Sequence, residues 1–139
     1  MTEEEKDRLR EAKEEVSDAL ARLPIAEYPL ENIDSRLLDY TTKVASHPDE
    51  HNLYEQLAVQ RFFSLVDKYG LNATEIHEFI TCYENLHFPG KTGQQRYKLT
   101  SVQVFQFASI YGFWQEDENK ILRRVVREAC LYVPRKFSK

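Results

Sequence analysis

Two cysteines, Cys82 and Cys130, are all that the 139 residues contain, too few for a disulfide framework. They read as reduced, buried thiols of a cytosolic protein. Glycine is scarce too, with four residues, which excludes a collagen-like repeat. No apolar run approaches the roughly 20 residues that a membrane-spanning helix needs. The opening MTEEEKDRLR is too acidic for a signal or transit peptide. There is no excess of basic residues either: 19 Lys and Arg against 23 Asp and Glu leave a net charge of −4, unlike a domain built to coat nucleic acid. No internal repeat or low-complexity tract is present. What remains is a composition 42% hydrophobic and 30% charged, the balance of one globular domain with a real core.

The charge is unevenly spread. Residues 1–20 carry eight acids and four bases, whereas residues 120–139 carry seven bases (Lys120, Arg123, Arg124, Arg127, Arg135, Lys136, Lys139) and a single acid, Glu128. A basic end on an otherwise acidic chain suits one domain edge meeting a phosphate-bearing ligand, or else a solvated tail.

Local signals predict a mainly helical chain. Thr2-x-x-Glu5 is a capping box, and Leu9, Ala12, Val16, Ala19, Leu20 and Leu23 follow it as a narrow apolar stripe that ends at Pro24. Asp34 is suited to cap a helix carrying Leu37, Leu38, Thr41 and Val44. After His47-Pro48, a helix reaching about Tyr69 is expected to bury Tyr54, Leu57, Ala58, Phe62, Leu65, Val66 and Tyr69, with Gly70 ending it. Asn72 then opens another helix facing inward with Ile76, Phe79, Ile80, Tyr83 and Leu86, the pair forming an antiparallel hairpin. Residues 88–95 read as a loop, 96–99 as a short strand, and Thr100 or Ser101 as the cap of an aromatic-rich helix to about Phe113. Residues 115–119 read as a polar turn, 121–127 as helix or strand, and 129–133 as a buried strand ended by Pro134.

Metal and acid–base chemistry find little footing. His47 and His51 have the spacing of two ligands on a helix, but Pro48 puts His47 outside it and no third ligand is near. They read as a capping and a surface histidine; His77 and His87 stand alone. The carboxylates of Asp49-Glu50 and Asp117-Glu118 would point apart on a helix. Gly90-Lys91-Thr92 imitates the end of a phosphate loop, yet a helix precedes it where a strand is required, so it reads as a turn. The second candidate, Val133-Pro134-Arg135-Lys136-Phe137-Ser138-Lys139, follows the expected strand, is basic, and puts its lysine at the seventh position.

The run Leu99-Thr100-Ser101-Val102-Gln103 through Gly112-Phe113, followed by Val133-Pro134-Arg135-Lys136-x-x-Lys139, resembles the N-terminal part of the large terminase subunit of tailed bacteriophages. The resemblance covers residues 99–139, with residues 62–88 fitting more loosely. Two departures stand out: Ser101-Val102 occupies the place of Pro-Trp, and Phe137-Ser138 that of Asn-Gly. The resemblance implies that Gln103 recognises the adenine edge of ATP and that Lys139 contacts the β- and γ-phosphates. Arg135 or Lys136 would add charge at the γ-phosphate, and Ser138 would line the loop. It also implies the start of an incomplete P-loop ATPase α/β domain (residues 96–139) behind N-terminal helices (1–46) and a helical hairpin with its loop (47–95). ATP and Mg2+ are then cofactors of the full-length protein. Its partners would be double-stranded DNA, a portal and a small terminase subunit in the cytoplasm of a bacterial host, with no membrane. The expectation is that the 139 residues stop inside the phosphate loop and are inactive alone, and that an orphan strand of this kind can self-associate. A self-contained helical interaction module with a solvated basic end is the competing expectation, and direct DNA binding through residues 120–139 is a third.

Overall fold

The computed structural model describes residues 1–25, 28, 32–90 and 93–131. Five helices run through them: α1 (Glu3–Ala21), α2 (Ser35–Ser46), α3 (Leu53–Tyr69), α4 (Ala73–Glu84) and α5 (Ser101–Tyr111). Each begins where a short polar side chain accepts a free amide of the first turn, from Thr2, Asp34, Asn52, Asn72 and Thr100 in order. α1 and α5 carry full capping boxes. Gly70, at φ 72°, ends α3 in a conformation that a side chain would strain. The mainly helical expectation is correct.

Two small antiparallel hairpins complete the architecture. β1 (His87–Gly90) pairs with β2 (Gly93–Arg96), and β3 (Trp114–Glu116) pairs with β4 (Leu122–Arg124). The stretch expected as a loop is thus a hairpin, and the strand expected at 96–99 ends at Arg96. Ala129 to Leu131 form no strand, contrary to the buried strand read there, and are exposed. The rest of that reading, Tyr132 and Val133, lies outside the described residues.

Packing follows an interleaved order. α2 lies along α5, α1 along α3, and α4 against α5. The consecutive helices α3 and α4 dock on different partners, so the expected α3–α4 hairpin gives way to this exchange. At the centre sit Leu37 and Val44 from α2, Val59, Phe62 and Phe63 from α3, Val104 and Ala108 from α5, and Phe113, all essentially without exposure. Phe62 is the hub: its ring contacts those of Phe63, Phe105 and Phe113 at centroid separations of 5.4, 5.4 and 5.5 Å.

The inward face of α3 is rotated from its expected position. Gln56, Val59, Phe62, Phe63 and Val66 are buried, whereas Tyr54 is 80% exposed and Leu57 and Ala58 face solvent. Gln56 takes a core position because its Nε2 donates to the carbonyls of Pro48 and His51 at 2.8 and 3.0 Å. Leu86, expected inside, is also exposed. Both cysteines are exposed, which corrects the buried reading. Among the described residues, no helix is long and apolar enough to cross a membrane.

Candidate nucleotide-facing site at the start of α5

The first turn of α5 is fixed by its own side chains. The Gln103 N–H donates to Thr100 Oγ1 at 3.3 Å, and Gln103 Oε1 accepts the Thr100 N–H at 2.9 Å. Thr100 Oγ1 lies 3.3 Å from the same Oε1. The carbonyl end of the Gln103 amide is therefore committed to the capping box. Among the described residues Nε2 has no hydrogen-bond partner, so what Gln103 offers a ligand is a donor on a fixed turn.

Behind this turn lies a charge cluster that no sequence pattern indicated. Arg36, at the start of α2, directs Nε and Nη2 to the two carboxylate oxygens of Asp34 at 2.8 and 2.7 Å. Its Nη1 and Nη2 donate to Glu84, the last residue of α4, at 3.2 and 2.9 Å. Nη1 also donates to the Leu99 carbonyl at 2.9 Å, while the Leu99 N–H donates to Glu84 Oε2 at 3.1 Å. Both backbone polar groups of the residue preceding the helix cap are thus held by one ion pair. The hydrogen bonds from the Arg36 guanidinium hold the Asp34 and Glu84 carboxyls below their ordinary ranges, against a smaller opposing push from burial.

At the other end of α5, the Phe113 carbonyl accepts the Val125 N–H at 2.9 Å. The β3–β4 turn before it is organised by Asp117, which accepts the N–H groups of Asn119 and Ile121 at 2.8 and 3.0 Å and the Arg123 Nε–H at 2.6 Å. Arg124 lies over the Tyr111 ring, 4.8 Å from its centroid. From Val125 the chain runs beside an open cleft of about 650 Å³ that Val126 and residues 128–131 share with Val102, Phe105, Gln106 and Ile110 of α5 and Tyr54 and Ala58 of α3.

Of the residues the resemblance singled out, only Gln103 lies in the described part; Arg135, Lys136, Ser138 and Lys139 lie outside it. His47 is the exposed C-cap of α2, although His51, read as a surface residue, is largely enclosed, with Nδ1 2.7 Å from Glu55 Oε2. No group of three His, Cys, Asp or Glu side chains suited to a metal ion occurs among the described residues. Comparison with protein-family models, with characterised proteins and with solved structures gives no match.

Proposed function

We propose that the chain is the N-terminal part of a large terminase subunit of a tailed phage or prophage, the ATP-driven motor that packages DNA. One observation carries the reading: among the described residues the Gln103 Nε2 on α5 has no hydrogen-bond partner, and Val126 and residues 128–131, which precede a Val-Pro-Arg-Lys-x-x-Lys run in sequence, line one cleft with α5. The lengths are compatible. α5 has 11 residues, about 16 Å at 1.5 Å per residue. The six residues from Val126 to Leu131 reach about 20 Å when extended. Six extended residues are thus long enough to span α5.

In this reading the Gln103 Nε2 donates to a ring nitrogen of adenine, since Oε1 is occupied. Arg135, Lys136 and Lys139 hold the triphosphate, with Ser138 in the loop and Mg2+ arriving with ATP. Double-stranded DNA, a portal and a small terminase subunit are the partners of the whole protein.

Three observations test it. The 139 residues alone should not hydrolyse ATP, and robust turnover by them overturns the reading. The gene should continue past Lys139 with Ser or Thr, then an apolar helix and a later strand ending in Asp-Glu; an immediate stop codon overturns it as well. In the full product, Lys139→Ala should abolish hydrolysis.

A second reading, a self-contained helical interaction module, draws on α1, whose residues 3–11 are exposed throughout, Leu9 at 44% included. A partner helix docked there would protect these amides from hydrogen exchange; the same exchange rates with and without the cell's binding partners would dismiss it.

A further inference from the structure

We infer that Arg36 is a positioning residue for base recognition, acting through Leu99 on the turn that carries Gln103; this rests on the nucleotide reading above. Three elements distant in sequence converge on one guanidinium: the α2 cap at Asp34, the α4 terminus at Glu84 and the residue that leads into α5. Leu99 is pinned three ways. Its side chain is 3% exposed in the core, its carbonyl faces Arg36, and its N–H faces Glu84. With both peptide groups of Leu99 held, the backbone of Thr100 starts from a fixed direction, and the capping box transmits that direction to the Gln103 amide.

The cluster is suited to orientation more than to holding the fold. The side chains of Arg36, Asp34 and Glu84 are 23%, 24% and 26% exposed, so water screens part of their attraction and their contribution to stability is modest beside that of the core. Cohesion comes instead from the aromatic and aliphatic core. What the cluster contributes is geometry, and arginine is suited to it because its rigid fork of five donors serves two carboxylates and a carbonyl together. A lysine ammonium can approach one carboxylate or the carbonyl, but cannot span all three in a plane.

The direction matters for specificity. A donor at the base edge meets an acceptor at N1 of adenine and an N–H at N1 of guanine. Tilting the turn should therefore reduce adenine preference before it reduces phosphate binding.

The test uses the full gene product and titrates ATP and GTP into wild type, Arg36→Met, Arg36→Lys and Glu84→Gln. Arg36→Met should weaken ATP roughly fivefold, the worth of one hydrogen bond, and leave GTP unchanged. Arg36→Lys should recover only part of the loss, and Glu84→Gln should move affinity in the same direction by less. In parallel, the Leu99 amide should exchange faster in Arg36→Met, and this is read without nucleotide. Folded Arg36→Met that binds ATP like wild type, or exchanges like it at Leu99, overturns the positioning role and leaves the nucleotide reading standing. Wild type that binds no ATP overturns that reading itself. Should Arg36→Met lose its helical circular dichroism, Arg36→Lys and Glu84→Gln carry the comparison, and wild-type ATP-to-GTP ratios in both overturn the inference.

Discussion

The backbone N–H of Asn72 donates to the carbonyl of Gly112 at 2.8 Å, tying the cap of α4 to the residue that ends α5. This contact leaves no room at Gly112. A Cβ there would lie 2.5 Å from the Ala108 carbonyl oxygen, 2.8 Å from Leu71 Cδ1 and 3.0 Å from Ile76 Cδ1. Its φ of −87° suits any residue, so space alone decides. Gly112→Ala should therefore destabilise the chain by about 1–3 kcal/mol, the usual penalty of overpacking. Urea denaturation should show a lower midpoint at unchanged slope.

Gln103→Glu separates the two duties of that side chain. A carboxylate still accepts the Thr100 N–H, so the capping box survives and stability should change by less than about 0.5 kcal/mol. The donor is lost, so the full gene product should bind ATP at least about fivefold more weakly. Thermal melts and nucleotide titrations on the same preparations check both halves.

Stability should fall in acid through the Arg36 cluster. The Asp34 and Glu84 carboxyls are held by Arg36 below their ordinary values of 3.8 and 4.5. A carboxyl with a depressed folded pKa binds fewer protons in the folded than in the unfolded chain between the two values. Its stabilisation is complete above the unfolded value and is lost as pH falls through the folded one. Denaturation curves from pH 6 to pH 2 should show a declining midpoint below about pH 4.5. Arg36→Met, lacking the partner, should decline less over the same range.

Cys82 and Cys130 are exposed, so both thiols should react with a disulfide reagent in the native state at rates close to those in denaturant. One labelled thiol in native buffer and two after unfolding would contradict their placement.

How far the sequence reveals this fold depends on the range of the interaction. Helix starts are legible because Thr2, Asp34, Asn72 and Thr100 act within three residues of themselves. The face of α3 is not, because Gln56 is a polar residue in the core, its Nε2 donating to carbonyls of the preceding turn. A hydrophobic pattern counts such a residue as outward and turns the helix toward Tyr54 and Ala58. The β1–β2 hairpin escapes for another reason: a Pro-Gly pair looks like loop, and the pairing of His87 with Arg96 is made by backbone. The Arg36–Glu84 pair joins residues 48 apart, and nothing local in either segment announces the other. At the candidate site, Gln103 is legible within the run that carries the resemblance, whereas the clamp behind it appears only once α2, α4 and α5 are brought together.

The interleaving of α2 with α5 has a consequence for synthesis. The α2 residues Leu37 and Val44 share their core with Val104, Ala108 and Phe113, which leave the ribosome 60 to 76 residues after them, and contacts that distant in sequence form late. A nascent chain stalled before residue 113 should stay protease-sensitive and a target for chaperones, then become resistant in one step when α5 and Phe113 clear the exit tunnel.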